Sequence, residues 1–210
     1  MGVRQRVTPE PSGGVHVCQF FDSDESRVEA VAAFIAEGLR QGDRTIVIAR
    51  PVQWAALSER LEAVNLPVHR ELGRGTLIVK DATDTLHRLS PGGSVAAEAF
   101  TATVGATLRR VAALGPVRAY GEMVDILAQR GDFEEAIRLE ALWNHLLADV
   151  PFSLLCGYAA ASFVAPASHR ALRRICAEHG DVHRNPQDAL ANWLLTTAHH
   201  PVAASSSISH

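Results

Sequence analysis

The chain has 210 residues, of which 47% are hydrophobic and 20% are charged, and its formal net charge is −3. These values are typical of a globular protein, and the small net charge gives no global attraction to nucleic acid or to an anionic membrane. No apolar stretch approaches the roughly 20 residues that a membrane-spanning helix needs. We find no signal peptide, and three scattered cysteines do not make a disulfide framework, so we expect a cytoplasmic protein.

Short apolar segments that predict strands alternate along the chain with longer segments that predict amphipathic helices. The predicted strands are residues 15–21, 45–49, 75–79, 116–120 and 152–158. The predicted helices are residues 26–40, 51–64, 95–114, 124–129, 133–148, 166–179 and 186–198. Because the strands are continuously apolar, they favour a parallel sheet with helices on both faces. The sequence therefore predicts an α/β three-layer sandwich with a mostly parallel central sheet.

We divide the chain into three parts. Residues 1–14 and the Ser/Ala-rich end of the chain are predicted to be disordered. Residues 15–183 form the predicted domain, and residues 184–210 contain a last helix and the tail. Ligands of parallel sheets bind beyond the carboxyl ends of the strands, which predicts a site in the loops there. Those loops are Asp22–Glu25, Arg50–Gln53, Asp81–Asp84, Gly121–Asp125 and Gly157–Ser162.

The loop after the first strand occupies the place of a phosphate-binding loop in nucleotide hydrolases. That loop needs glycines to wrap the phosphates and a lysine to contact them. Here Phe21–Ser26 has neither, and Lys80, the only lysine, follows the third strand. Asp22, Asp24 and Glu25 would repel a polyphosphate, so they are instead candidates for a different ligand, with helix capping as the alternative role.

His16 and Cys18 are candidate metal or haem ligands, because side chains two residues apart on a strand share one face. Two ligands are fewer than zinc requires. Cys156 and the Cys176/His179 pair, which share a helix face, could complete such a site only if the fold brings them together. A buried thiol packed beside a hydrogen-bonded histidine is the alternative that the sequence favours.

Three further polar residues lie in predicted core elements. Glu122 follows the fourth strand directly, which makes it a candidate for ligand contact at the carboxyl edge. Its alternative roles are helix capping or an ion pair with an arginine such as Arg118 or Arg27. Glu140 and Asn144 are four residues apart on one face of a helix, and we interpret them as structural polar groups.

An ordered set of motifs resembles the MEDS family, the methanogen/methylotroph, DcmR-like sensory domain. The motifs are His16–Asp22, Gly121–Met123, Arg138–Asn144, Phe152–Tyr158 and Cys176–His179. The resemblance implies a RecA/KaiC-like core without a functional phosphate loop. It also implies a sensor of small molecules. Members of the family occur alone or beside histidine kinase, STAS or DNA-binding modules.

From this resemblance we expect a non-catalytic signal-sensing module. It would bind a small-molecule ligand and act through a separate signalling partner of the histidine kinase, STAS or transcription-regulator type. Two alternatives stay open: a cryptic nucleotide-binding, ATPase-like protein, and a metal or haem sensor that uses His16 and Cys18. The sequence identifies no cofactor, predicts no direct contact with nucleic acid or membrane, and leaves self-association into a homo-oligomer open.

Overall fold

The computed structural model describes residues 14–199. Within them, the strands are β1 Val15–Phe21, β2 Arg44–Ala49, β3 Leu77–Asp81, β4 Val117–Gly121, β5 Ser153–Ala159 and β6 Asp181–His183. The α-helices are α1 Asp24–Gln41, α2 Pro51–Ala63, α3 Val68–Arg74, α4 Ala82–Leu89, α5 Ala97–Phe100, α6 Ala106–Ala112, α7 Met123–Gln129, α8 Phe133–Asp149, α9 His169–Ala177 and α10 Ala189–His199. The predicted disordered ends, apart from Gly14, lie outside the described residues.

All strands of the described chain belong to one sheet, and every pair of neighbours is parallel. The strand order is β3-β2-β4-β5-β1-β6. The predicted α/β class and the parallel sheet are confirmed. The sequence pattern missed β6, because this strand has three residues, Asp-Val-His, and none is fully buried. A strand that short carries no apolar run to detect.

Helices cover both faces of the sheet and give two separate cores. Val17 and Phe21 of β1 pack with α1 and α2 on one face. Cys18 and Phe20 point to the opposite face, where α8, α9 and α10 lie. This alternation follows from the twofold period of a strand, and it makes the molecule a three-layer sandwich. No helix within residues 14–199 combines the length and the apolar character needed to cross a membrane.

The structure differs from the predicted helices in three places. Residues 68–74 form α3, which the sequence pattern did not predict. Residues 82–89 are helical, because Asp81 caps the N-terminus of α4 by accepting hydrogen bonds from the backbone N–H groups of Thr83 and Asp84. We had placed Asp81–Asp84 in a loop. The single long helix predicted over 95–114 is instead α5, a π-helical turn at Thr101–Gly105, and α6 in direct succession.

Candidate functional site

The six predicted site residues lie in three different places. His16 is the second residue of β1, at its amino end, whereas Asp22 follows the carboxyl end of the same strand. At the usual rise of a strand, about 3.3 Å per residue, the two residues are roughly 20 Å apart. Glu122 lies at the carboxyl end of β4. The sheet therefore has one polar region at its carboxyl edge and another near the amino end of β1.

Four charged residues form a buried network at the carboxyl edge, which we call the edge network. It consists of Arg27, Arg50, Glu122 and Asp125. Glu122 accepts hydrogen bonds from the backbone N–H of Arg50 at 2.6 Å and from its guanidinium at 2.7 Å. The guanidinium of Arg27 lies 3.0 Å from Asp125 and 3.5 Å from Glu122. Both carboxylates are fully buried, so each negative charge is matched inside the protein.

Asp125 also holds the backbone of neighbouring elements in place. Its Oδ1 accepts a hydrogen bond from the N–H of Ala159 at the end of β5, at 2.7 Å, and its Oδ2 accepts one from Gln129 at 2.8 Å. Burial alone would lower the pKa of Arg27, but Tyr120, Asp125 and Glu122 raise it above its ordinary value. Burial would likewise lower the pKa of Arg50, but its contacts with Glu122 and Asp125 raise it, so both guanidinium groups stay protonated at neutral pH.

The acidic loop after β1 has capping and surface roles. The Asp22 carboxylate accepts hydrogen bonds from the N–H groups of Leu190 and Ala191, both at 2.8 Å, and so caps α10. Asp24 accepts a 2.6 Å hydrogen bond from Gln53. Asp24 and Glu25 are exposed and line a groove of about 380 Å³ between α1 and α2, together with Val28, Glu29, Val52, Gln53, Ala56 and Arg60.

A second buried polar region lies between the sheet and the layer of α8 and α9. We call it the histidine cluster, and it consists of His16 on β1, Glu140 on α8, Cys156 on β5 and His179 just after α9. One potential metal-ligand atom from each of these four residues lies within 4.8 Å of the other three. All four residues are buried. The parallel register brings β1 and β5 together, with His16 opposite Leu154 and Cys18 opposite Cys156.

Glu140 is at the centre of the histidine cluster. Its Oε2 lies 3.2 Å from Nε2 of His16 and accepts a hydrogen bond from the Cys156 thiol at 3.3 Å. Its Oε1 lies 3.3 Å from Nε2 of His179 and accepts a 2.5 Å hydrogen bond from the hydroxyl of Tyr158. The Cys156 sulfur is also 3.5 Å from Nε2 of His16. Nitrogen, sulfur and oxygen atoms therefore converge on one small volume.

The orientation of the His16 ring is fixed from the outer side of the cluster. The Asn144 amide donates to the backbone carbonyl of Glu178 at 2.8 Å and to its carboxylate at 3.0 Å. The amide oxygen of Asn144 therefore faces His16, whose Nδ1 lies 2.7 Å away. Since an amide oxygen only accepts, Nδ1 of His16 donates, and Nε2 is the nitrogen that faces Glu140.

His179 is fixed in the same way. Its Nδ1 lies 2.7 Å from the backbone carbonyl oxygen of Ile175, which only accepts, so Nδ1 donates. Its Nε2 is buried and makes no hydrogen bond with any described residue, although Oε1 of Glu140 is 3.3 Å away. The ring centroids of His16 and His179 are 4.0 Å apart. Both imidazoles thus direct Nε2 towards the same carboxylate.

The cluster strongly perturbs the acidities of its members. Burial would raise the pKa of Glu140, but the positive charges that His179 and His16 carry when protonated hold that pKa well below its ordinary value. Burial, with Glu140 beside it, raises the pKa of the Cys156 thiol well above its ordinary value. In the protein alone, Glu140 is therefore a carboxylate and Cys156 is a neutral thiol.

Cys18 is beside the histidine cluster and is not one of the four converging residues. Its thiol contacts the thiol of Cys176 on α9, and this contact together with burial raises the pKa of Cys18. The hydrogen bond from Cys18 lowers the pKa of Cys176. All three cysteines are free thiols. The expected pair of His16 and Cys18 is thus replaced, in geometry, by His16 and Cys156.

Comparison with known proteins gives one clear result. The sequence profile of MEDS, the MEthanogen/methylotroph, DcmR Sensory domain, matches residues 15–174. The chain belongs to the MEDS family. The match covers most of the 210 residues, and it confirms the family assigned from the motifs. No curated protein matches the chain.

Part of the histidine cluster of this MEDS domain could be found from its sequence. The matched range includes His16, Glu140 and Cys156, whereas His179 lies beyond it. The spacing of Cys176 and His179 placed both residues on one helix side, but only the fold shows that His179 joins the cluster. Glu140 had been interpreted as structural, because a single buried glutamate on a helix gives no sign of its partners.

Proposed function

We propose that this MEDS domain is a non-catalytic sensory module that acts through a separate partner protein. The observation that carries the proposal is the edge network. At the edge where parallel sheets bind their substrates, both buried carboxylates, Glu122 and Asp125, are paired with Arg27 and Arg50. A carboxylate held in this way is not free to activate water, so the edge supports recognition better than hydrolysis.

The same edge disfavours a nucleotide. In the loop after β1, the Asp22 carboxylate caps the N-terminus of α10 and the Asp24 carboxylate accepts a hydrogen bond from Gln53. The side chains of Asp24 and Glu25 are exposed to solvent. A polyphosphate placed there would meet negative charge without a lysine, because Lys80 lies within β3. The cryptic ATPase alternative therefore has no geometric support at this position.

A small signal molecule would enter the groove between α1 and α2. The groove volume of about 380 Å³ is within the range of small-ligand sites, roughly 300–1,000 Å³. Its lining mixes carboxylates of Asp24 and Glu25 with the apolar side chains of Val28 and Val52. This lining favours a neutral or cationic organic molecule over an anion.

We base the type of output partner on the modules beside which members of the family occur. Sensory modules need an effector, so we propose a separate protein of the histidine kinase, STAS or transcription-regulator type, located in the cytoplasm with this chain. The bound signal would change how α1 packs against the edge network. Arg27 lies on α1, and its guanidinium contacts Glu122 at the carboxyl end of β4.

Two measurements test the proposal together. Purified protein is incubated with Mg²⁺-ATP or Mg²⁺-GTP and phosphate release is followed, and the transcripts of a deletion strain are compared with those of the parent. We expect no turnover, and a defined set of changed transcripts that returns to normal when the gene is restored. Turnover that Glu122→Gln abolishes would overturn the non-catalytic assignment. An unchanged transcript profile would overturn the regulatory one.

A further inference from the structure

We propose that the histidine cluster binds one divalent transition-metal ion, independently of any ligand at the carboxyl edge. The ligands are Nε2 of His16, Nε2 of His179, the sulfur of Cys156 and the carboxylate of Glu140. The metal is of borderline softness, of the class of Zn²⁺, Co²⁺ and Fe²⁺. Mixed imidazole, thiolate and carboxylate donors suit these ions and do not suit Mg²⁺ or Ca²⁺, which take oxygen ligands.

The spacing of the donor atoms agrees with tetrahedral coordination. Zinc lies about 2.0–2.1 Å from nitrogen, 2.3 Å from sulfur and 2.0–2.2 Å from oxygen, so neighbouring ligands of a tetrahedral ion are about 3.3–3.7 Å apart. Oε2 of Glu140 lies 3.2 Å from Nε2 of His16 and 3.3 Å from the sulfur of Cys156, and that sulfur lies 3.5 Å from Nε2 of His16. These three edges of the ligand polyhedron have the required length, or fall just below it. His179 approaches the other oxygen of the same carboxylate, with its Nε2 3.3 Å from Oε1.

The tautomers of both histidines prepare them for a metal. Each Nδ1 donates to an oxygen, to Asn144 for His16 and to the carbonyl of Ile175 for His179. In a neutral imidazole, Nε2 then carries a lone pair, and both lone pairs face Glu140. Metal-bound histidines characteristically donate the other ring nitrogen to a carbonyl or carboxyl group, which fixes the ring and raises its basicity. The hydroxyl of Tyr158 orients Glu140 in the same manner.

The donors are close enough together for one ion to contact all of them. The ring centroids of His16 and His179 are 4.0 Å apart, in a region with almost no solvent. Both Nε2 atoms lie 3.2–3.3 Å from the carboxylate of Glu140. One divalent ion between the donors satisfies both nitrogens and the carboxylate at once.

The charges also balance for a divalent ion. Glu140 contributes one negative charge, and Cys156 contributes a second when its thiol proton leaves to solvent on metal binding. Both histidines bind as neutral imidazoles, so any proton on Nε2 also leaves to solvent. The ion and its ligands then have no net charge, which is the condition for stability in a buried site. Asn144 and Glu178, which are half-buried, border the cluster on its outer side.

The four ligand atoms converge on one small volume, which suits a single ion and leaves no room among them for the planar ring of a haem. This geometry therefore does not support the haem alternative. Cys18, the other candidate ligand, contacts Cys176 instead of the four converging atoms. This placement gives the proposal a matched control, because Cys18 and Cys156 are both buried cysteines directly opposite each other on β1 and β5.

The test uses the full chain, stripped with a chelator and titrated with Co²⁺. We expect one equivalent to bind, with the intense visible bands of tetrahedral cobalt and a thiolate-to-cobalt charge-transfer band in the near ultraviolet. Cys156→Ser should remove the charge-transfer band, and Cys18→Ser should leave it intact. Zn²⁺ should displace the cobalt. His199 and His200 supply only imidazole, so cobalt held there gives no charge-transfer band.

Folding of each variant is checked by circular dichroism, and a second measurement avoids variants altogether. X-ray absorption of the wild-type zinc complex should show one sulfur and three nitrogen or oxygen neighbours. Failure to bind a stoichiometric metal ion, or a sulfur-free coordination shell, would overturn the proposal. A charge-transfer band lost with Cys18→Ser and kept with Cys156→Ser would equally overturn the assigned ligand set.

Discussion

The edge network and the histidine cluster are both buried polar regions, but their charges are arranged in opposite ways. In the edge network, two guanidinium groups face two carboxylates, and each carboxylate lies within ion-pair distance of both arginines. In the histidine cluster, the nitrogens of His16 and His179 face the acceptor oxygens of Glu140. The first arrangement closes a site that related folds could use for a substrate, whereas the second creates a receptor for a cation.

The largest expected effect is loss of a charge from the edge network. Asp125→Ala should lower the free energy of unfolding by about 3–5 kcal/mol, because it leaves the buried guanidinium of Arg27 without its nearest carboxylate. It also removes the acceptor of the Ala159 N–H. Urea unfolding followed by circular dichroism measures the change.

The control for Asp125→Ala is the exposed ion pair of Glu29 and Arg60, whose side chains are 63% and 37% accessible. Glu29→Ala should have a far smaller effect, since solvent screens such pairs. If Asp125→Ala were as mild as Glu29→Ala, the edge network would not be the tightly coupled unit that the distances indicate.

The next effect concerns metal and separates the two regions directly. Zn²⁺ at a hundred times its dissociation constant should stabilise the protein by about 2.7 kcal/mol. For a chain of this size the melting temperature then rises by about 5–10 °C. Thermal unfolding of wild type, Cys156→Ser and Cys18→Ser measures it, and only Cys156→Ser should lose the shift.

Mg²⁺-ATP in the same thermal experiment should have no effect on any of the three proteins. A shift with Mg²⁺-ATP would show that the edge network opens to a nucleotide after all. A zinc shift that survives Cys156→Ser would show that zinc binds outside the histidine cluster. Either result would contradict the distinction between the edge network, which binds no nucleotide, and the histidine cluster, which binds the metal.

Gly157 lies in β5 between the ligand Cys156 and the supporting Tyr158, yet it faces the other core. A Cβ atom on Gly157 would be 2.9 Å from the hydroxyl oxygen of the buried Tyr120. Gly157→Ala should therefore cost about 1–3 kcal/mol of unfolding free energy through overpacking. The cobalt spectrum should stay the same, because the strand directs this substitution away from the histidine cluster.

Gly121→Ala is the matched control, since a Cβ atom there meets only Trp143 at an ordinary 3.9 Å. We expect a neutral or slightly stabilising change of up to about 1 kcal/mol, because alanine restricts the unfolded chain. If Gly157→Ala altered the cobalt bands while Gly121→Ala did not, the two faces of β5 would be coupled more closely than their separate cores suggest.

The smallest effect comes from Asn144, which orients His16 without contacting the metal position. Asn144→Ala should weaken Co²⁺ binding by about tenfold, the lower end for such supporting groups, because Asn144 is half-buried and water can replace its amide. Spectroscopic titration against a competing chelator gives the affinity. His145→Ala, an exposed neighbour on α8, should change nothing, and an equal effect from both substitutions would contradict the orienting role.

The sequence pattern predicted the sheet well and the site only partly. Continuously apolar strands such as residues 45–49 are easily predicted from the sequence, because each is buried on both faces. The three-residue β6 and the helix after Asp81 were missed, since their polar residues resemble loops. The relation to a RecA/KaiC-like core stays a prediction.

For the site, the types of residue indicated which chemistry was possible, but the sequence did not show which of these residues lie together in the fold. His16 was proposed from the sequence as a metal ligand, and it lies in the histidine cluster. The acidic loop, however, directed the predicted site to the carboxyl edge, far from the amino end of β1. The pairing of β1 with β5 decides which cysteine joins His16, and it links residues 138 positions apart, His16 and Leu154. Local periodicity carries no information on contacts at that separation. Similarly, an ion pair with an arginine such as Arg118 or Arg27 was one alternative role for Glu122. Arg27 does lie 3.5 Å from it, and Arg50, which the sequence did not indicate, lies nearer at 2.7 Å.

The position of β1 in the sheet also sets an order of events during synthesis. Among the described strands β1 is made first, yet both of its neighbours, β5 and β6, are made last. At 5–20 residues per second, the apolar side chains of β1 wait roughly 7–28 seconds for β5. His179 emerges later still, so the four ligands first exist together when translation of the domain is nearly over. A metal ion that uses all four ligands can therefore bind only after His179 has been made.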